Sequence, residues 1–225
     1  MWEKIKDVKK QMINDIKEKY WSRFSSNYDE NQEYVVGSDL LAEVNINLNN
    51  LTNLGEVLEL GCGTGFFTQT IAKKSMHVSA TDLSDELLEK ARKRLSNNGQ
   101  ITFQKENCYG ISFESEKFDT VFMANLIHIV EYPSKVLQEC FRVLKNDGLI
   151  IITSFTNYGM KPLEIIKLGF RYIKIWGKPP RHTHRFSPDG LSFLMQSNGF
   201  VIKESKILGN KTKSLFIIGK KEIKN

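Results

Sequence analysis

Glu59, Gly61, Gly63, Gly65 and Asp82 are the residues of this chain whose types and spacing most directly suggest chemistry. The run VLELGCGTGFF, Val57 to Phe67, reads as a buried strand entering a glycine-rich turn and then a helix. Glycines at such a turn let a ligand's polar atoms approach bare backbone N–H groups. Nucleotide-type cofactors bind at such turns, at the carboxyl ends of parallel strands. The spacing here is G-x-G-x-G, and Phe66 stands where a dinucleotide fingerprint needs its third glycine. Asp82 closes the next strand, His77 to Asp82, and falls 21 residues after Gly61. A carboxylate at that point can accept hydrogen bonds from both hydroxyls of a ribose. A plain tight turn and a helix cap are the alternative readings, and the mutual spacing favours the ligand.

The elements that must position these residues alternate between strand and helix, which argues for an α/β domain with a largely parallel sheet. A helix is expected from Ser84 to Leu95, with Leu87, Leu88, Ala91 and Leu95 on one face and Asn97-Asn98-Gly99 as its stop. Short strands follow at Ile101–Gln104 and Phe118–Met123, then a helix at Pro133–Leu144 and a continuous apolar strand at Leu149–Ser154. Ser187, Pro188 and Gly199 mark the start and stop of a further helix. Val201–Ser205 and Ser214–Gly219 read as closing strands. Trp2, Ile5, Val8, Met12 and Ile16 trace a charged amphipathic helix at the start of the chain.

At 225 residues the chain fits a single domain with a substantial core. It divides into an N-terminal cap (1–50), a cofactor-binding core (51–155), a substrate-side insertion (156–187) and a closing helix with strands (188–225). No apolar run reaches membrane-spanning length, and the start lacks the apolar centre of a signal peptide. Cys62, Cys108 and Cys140 show no metal-ligand spacing and suit a reducing, cytoplasmic setting.

The net charge of +6 is local. Lys161, Lys167, Arg171, Lys174, Lys178, Arg181 and Arg185, against the single acid Glu164, carry the whole excess. From Pro162 to Lys178 the charges recur at helical spacing among apolar residues, which predicts a basic amphipathic helix. Its apolar face is expected to cap the acceptor pocket, with the basic stripe turned to solvent or an anionic surface.

The glycine turn with Glu59 before it resembles the first motif of the class I S-adenosylmethionine-dependent methyltransferases, and the chain from Val57 onward resembles their small-molecule branch, type 11. FDTVFMANLIHIV (118–130), VLKNDGLIIITSF (143–155) and RFSPDGLSFLMQSNGF (185–200) resemble later parts of that pattern, and YWSRFSSNYDE its N-terminal segment. The resemblance implies a Rossmann-like, doubly wound, mostly parallel sheet of seven strands with the last antiparallel, an N-terminal helical cap and a helical insertion after strand 5. It also implies S-adenosylmethionine as cofactor, S-adenosylhomocysteine as product, and no metal. Gly61, Cys62, Gly63 and Gly65 would line the methionine moiety, with Glu59 favouring its cationic amine. Asp82 and Leu83 would bind ribose and adenine, and Tyr20 and Tyr28 would approach from the N-terminal segment. Asn107-Cys108 replaces the usual Asp-Ala beside adenine; an Asn oxygen can still accept from the adenine amino group. Asn125, after the fourth strand, joins the cofactor set.

Methyl transfer from a sulfonium needs mainly alignment and a dry site, with a general base only where the acceptor must lose a proton. His128 and His184 are the candidate bases, His182 a weaker one, and His77 is expected to be structural. The expected acceptor is a small molecule attacked through O, N or S. Two alternatives stay open: an RNA, or a membrane lipid or quinone, docked through 161–185. Tyr158, Tyr172 and Trp176 would supply base stacking in the RNA case. The Asp/Asn-Pro-Pro-aromatic motif of adenine-amino methyltransferases is absent, since Ala124-Asn125-Leu126-Ile127 stands there. A non-catalytic cofactor-binding partner subunit is the remaining alternative.

Overall fold

The computed structural model describes residues 22, 24–180 and 182–222. The readings made for the first helix and for Tyr20 lie outside these residues.

Seven strands form one sheet: β1 (Glu56–Leu60), β2 (His77–Asp82), β3 (Ile101–Lys105), β4 (Phe118–Ala124), β5 (Leu144–Thr156), β6 (Phe200–Leu208) and β7 (Lys213–Lys221). Their order is β3-β2-β1-β4-β5-β7-β6. β7 runs antiparallel to both β5 and β6, and every other pairing is parallel. The expected architecture is therefore present, with its single antiparallel strand last in the chain.

Alternate residues of each central strand feed two cores, because successive side chains point to opposite faces. Val57, Val78, Ala80, Phe122 and Ile151 pack on one face, with α1 (Tyr28–Val36), α2 (Ser38–Asn49), α3 (Thr68–Ala72) and α4 (Asp85–Arg94). Leu58, Leu60, Val121, Met123, Ile150 and Ile152 pack on the other, under α5 (Pro133–Val143) and α7 (Pro188–Gln196). Burial on both faces explains why these strands read as continuous apolar runs.

The ends of the elements follow their capping chemistry. Ser84 accepts from the Leu87 amide at 3.2 Å to start α4, and Ser187 accepts from Gly190 at 3.0 Å to start α7. α6 (Pro162–Trp176) stops earlier than the charge pattern suggested, at Gly177, whose φ of +72° is open to glycine. β5 begins five residues before the expected strand: Leu144 pairs with Phe118, then Asn146-Asp147-Gly148 bulges before Leu149 pairs with Thr120.

Register aligns the carboxyl ends that matter. Leu60 lies beside Thr81 and Met123, and Ala124 beside Thr153. Gly61, Asp82, Asn125 and Ser154 therefore emerge along one edge, where strand order reverses around β1. Open α/β sheets bind ligands at such a switch point.

Candidate functional site

The turn after β1 holds Gly61, Gly63 and Gly65 at φ of +74°, +57° and +80°, a region side chains with a Cβ rarely enter. Four of its amides bond within the protein, which departs from the expectation of bare donors. Gly61 and Cys62 both donate to the Thr81 carbonyl at 2.8 and 2.9 Å, and Gly65 donates to the Cys62 carbonyl at 2.9 Å. Gly63 donates to Asp82 Oδ2 at 2.9 Å. The turn thus contributes shape more than donors. A Cβ on Gly63 would meet only the Tyr28 ring, at 3.9 Å, whereas one on Gly65 would press Leu95 at 3.0 Å and Ala91 at 3.3 Å. Gly65 therefore serves close packing of α4, and Gly63 leaves open space.

Beneath this turn sits Glu59, 1% exposed. Its Oε2 has no hydrogen-bond partner among the described residues. Burial raises its pKa to about 7, opposed by the nearby Thr68 hydroxyl and assisted by the charge of Asp82. A buried carboxyl lacking a partner is costly unless a donor arrives. A cationic amine fits that need, so the residues present suit the methionine end of the expected cofactor.

Asp82 is gripped from both sides. Besides the Gly63 amide on Oδ2, Oδ1 accepts from the Ser84 amide at 2.9 Å. A carboxylate oxygen carries more than one acceptor site, so one amide on each does not exhaust the group. Two backbone amides thus hold Asp82 in place, one on each carboxylate oxygen.

The N-terminal segment straps this turn in a way no sequence spacing announced. Asp29 of α1 pairs with Arg94 of α4 and accepts from Thr64 in the turn, while Arg94 also donates to the Thr64 carbonyl at 3.1 Å. Ser22 lies 2.8 Å from Ser84 and donates to Glu86 at 2.6 Å. Tyr28 is half-buried over Gly63; desolvation first, then the charges of Asp82 and Asp29, push its hydroxyl above the ordinary tyrosine value and keep it protonated. Trp176 at the end of α6 lies against Tyr28, ring centroids 6.4 Å apart, with Tyr172 at 5.0 Å on its other side. The sequence pointed to Trp176 only as a stacking residue in the RNA alternative, and it did not point to the Asp29–Arg94–Thr64 clasp at all.

Along the neighbouring edge, Leu83 follows Asp82 and is half-buried. Asn107 uses Oδ1 to accept from the Tyr109 amide at 3.0 Å, capping the loop after β3. Cys108 is half-buried against the second core, in keeping with a packing role.

On the acceptor side, Asn125 stitches the sheet. At φ of +57° its amide donates to the Thr153 carbonyl at 2.8 Å and its Oδ1 accepts from the Phe155 amide at 3.2 Å. Leu126 then covers Gly61, 3.5 Å from where its Cβ would stand. His128 Nδ1 lies 3.1 Å from the Ser154 hydroxyl of β5, and its ring meets Phe155 edge-on. Burial, then the neighbouring His184, lowers the His128 pKa to about 4, so the ring is neutral. His184 joins it: the His184 amide donates to the His128 carbonyl at 2.7 Å. His184 Nε2 donates to the Val130 carbonyl at 2.9 Å, and its ring stacks on Phe186. A carbonyl only accepts, so Nε2 of His184 carries the proton. His184 thus braces the His128 loop. His182 faces Glu131 at 3.6 Å, and His77 bonds Thr102 at the opposite end of the sheet, as expected of a structural residue. Ser154, hidden inside an apolar run, gave no sequence signal.

Residues 58–152 match a family model for a methyltransferase domain. A demethylmenaquinone methyltransferase of Clavibacter sepedonicus is 32% identical over 148 residues, covering 65% of this chain and 59% of that protein. A ubiquinone biosynthesis O-methyltransferase of a Chelativorans species is 27% identical over 153 residues, with 66% and 59% covered. The chain thus spans about three-fifths of the length of these relatives. Among solved structures, an S-adenosylmethionine-dependent methyltransferase of Thermotoga maritima, a possible histamine N-methyltransferase, superposes with a TM-score of 0.71 at 21% identity, covering 91% of this chain and 99% of that one. A methyltransferase of Methanosarcina mazei gives 0.64 at 24% identity, covering 80% and 98%.

Proposed function

We propose that this chain is a class I S-adenosylmethionine-dependent methyltransferase of the type 11 branch, in line with the methyltransferase-domain match over residues 58–152, and that it transfers a methyl group from S-adenosylmethionine to a small-molecule acceptor. The observation that carries this reading is the pairing of a turn clamped to Asp82 with Glu59, a buried carboxyl whose Oε2 lacks a partner among the described residues.

The bound cofactor would supply an electrophilic methyl group. Glu59 would hold its amine, Asp82 its ribose hydroxyls, and Asn107 its adenine amino group. Tyr28 and Trp176 would exclude water from above the turn, and Leu126 from the side of β4. Exclusion of water and fixed alignment are what an in-line displacement needs from a protein. His128 stands at the carboxyl end of β4 with a neutral ring. With Nδ1–H directed to Ser154, Nε2 would present a lone pair to an acceptor proton. His184 positions that loop through the backbone of His128.

The names of the relatives favour a second, narrower reading, a quinone-pathway acceptor, and the ubiquinone biosynthesis O-methyltransferase points to an oxygen as the methylated atom. Calorimetry with S-adenosylhomocysteine, then a screen of hydroxyl, thiol, amine, quinol and RNA acceptors with labelled cofactor, tests both. Low to mid micromolar binding and label transfer to a small acceptor are expected. Preference for NAD, or label appearing only in RNA, would sink the reading.

A further inference from the structure

Helix α6 has two apolar faces, and only one of them is used by the fold. Leu168, Tyr172 and Ile175 pack toward the core, and Trp176 is 5% exposed. Arg171 also turns inward, donating to the Tyr34 carbonyl of α1 at 3.5 Å. The expected arrangement, apolar residues in and the basic stripe out, therefore needs correction. Leu163, Ile166, Phe170 and Ile173 lie on the outer side at 60%, 56%, 73% and 61% exposure. Their spacing of three, four and three residues places them in one line on the helix, about 15 Å long at 1.5 Å per residue. Single exposed apolar residues are ordinary, but a contiguous line of four large ones marks a contact surface.

The charges beside this line are of one sign. Lys161, Lys167, Lys174 and Lys178 are exposed along the same segment. Its one acid, Glu164, is paired with Lys167 at 2.9 Å, and Lys211 and Arg171 also hold its carboxyl below the usual range. Lys174 lies over the ring of Tyr34, itself 46% exposed, at 5.4 Å. An apolar line bordered by long lysines is the pattern of a helix lying in a bilayer interface. Its apolar side chains enter the acyl boundary while the ammonium groups reach anionic headgroups.

We propose that the outer face of α6 docks this protein on an anionic phospholipid membrane. A second copy is a poor occupant, since two-fold pairing through this line would bring the lysines of both copies together. RNA is a poor one too, because Leu163, Ile166 and Ile173 offer bases no ring to stack on. The inner face of the same helix carries Trp176 against Tyr28, so the docking element and the cover of the glycine turn are two sides of one helix. Docking would hold that cover at the membrane surface, where an apolar acceptor is concentrated. This last link rests on the proposed activity; the docking itself does not.

Flotation of the full chain with vesicles of phosphatidylcholine, with and without phosphatidylglycerol, tests the proposal at low and high salt. Binding is expected only with the anionic lipid, weakening as salt rises. Ile166→Asn with Phe170→Ser should reduce it at least tenfold, and so should Lys167→Gln with Lys174→Gln. These side chains are exposed, and both variants should keep their affinity for S-adenosylhomocysteine by calorimetry. That readout separates failure of docking from failure of the cofactor site. No binding, or equal binding to neutral vesicles, would overturn the proposal. So would a dimer in solution that Phe170→Ser dissociates, since it would give the face to a second copy.

Discussion

The two ends of the proposed reaction centre are built differently. The cofactor side is a local construction: strand, turn, strand and helix, with Gly61, Gly63, Asp82 and Ser84 joined inside a span of 24 residues. The acceptor side is assembled from distant pieces. His128 from the β4 loop meets Ser154 of β5 and His184 from the segment after α6, while Trp176 reaches back to Tyr28. Short-range geometry leaves a mark in residue spacing, because a tight turn demands glycine and a cap demands serine or aspartate. Long-range assembly leaves none, because any chain path that brings two side chains together will serve.

The sharpest test of this division lies at His128. His128→Ala should lower turnover of a hydroxyl acceptor about a hundredfold or more, the lower range for a lost general base, while cofactor affinity stays within about twofold. With a pKa near 4 the ring does not titrate in the working range. At saturating cofactor, turnover should therefore show no His128 ionisation between neutral pH and pH 5. Unchanged turnover in the variant, or a loss matched by lower thermal stability, would leave His128 as a packing residue.

On the cofactor side, Asp82→Ala should weaken binding of S-adenosylhomocysteine about ten- to a hundredfold, as expected for lost charge-assisted hydrogen bonds. The same change frees the Gly63 and Ser84 amides, so thermal stability should fall as well. Asp82→Asn separates the two effects. It keeps an oxygen for one amide but loses the charge, and its affinity should lie between the other two. Calorimetry showing full affinity in both variants would remove Asp82 from the ribose site.

Glu59 gives a pH signature that the acceptor side lacks. Its folded pKa is raised to about 7, so the free protein carries it half protonated at neutrality. A cationic amine favours the ionised form. Affinity should therefore rise with pH through 7 and fall by up to about tenfold per unit below it, the limit for one linked proton. Stability without ligand runs the opposite way, declining as pH climbs from the unfolded carboxyl range toward 7, because the unfolded state ionises first. In Glu59→Gln both dependences should vanish. A pH-independent affinity in the native protein would mean that the amine binds elsewhere.

The comparison also sorts what could be read in advance. The helix starts at Ser84 and Ser187, the glycine turn and the placing of Asp82 at the end of β2 were legible because each depends on a residue type at a fixed offset. The count of seven strands came from the resemblance instead, and the strand order from neither. The two-sided character of α6 was not. Its charges at 164, 167, 171 and 174 trace one stripe on a helical net, yet Arg171 is drawn inward by the Tyr34 carbonyl of a helix far away in the chain. Likewise Asn125 reads as a loop residue near a ligand, and only the β4–β5 register shows its oxygen bonded to Phe155. Contacts between elements decided both.

The smallest effect is expected at Asn107, where the chain departs from the family's Asp. Asn107→Asp should bind S-adenosylhomocysteine within about threefold of the native protein, or more tightly. The side-chain oxygen that accepts from the Tyr109 amide persists in Asp, so the loop keeps its cap. A second lone pair remains for the adenine amino group, and the added charge strengthens an accepted hydrogen bond. The opposing term is proximity to Glu106, whose carboxyl already takes the Ser112 amide and the Gln104 side chain. Two adjacent acids repel, but those donors hold Glu106 in place and restrict the penalty. A tenfold or greater loss of affinity on this substitution, with stability unchanged, would show that Asn107 donates to the ligand through its NH2. The side next to adenine would then be read by a donor, and the alignment with the family's acidic position would fail.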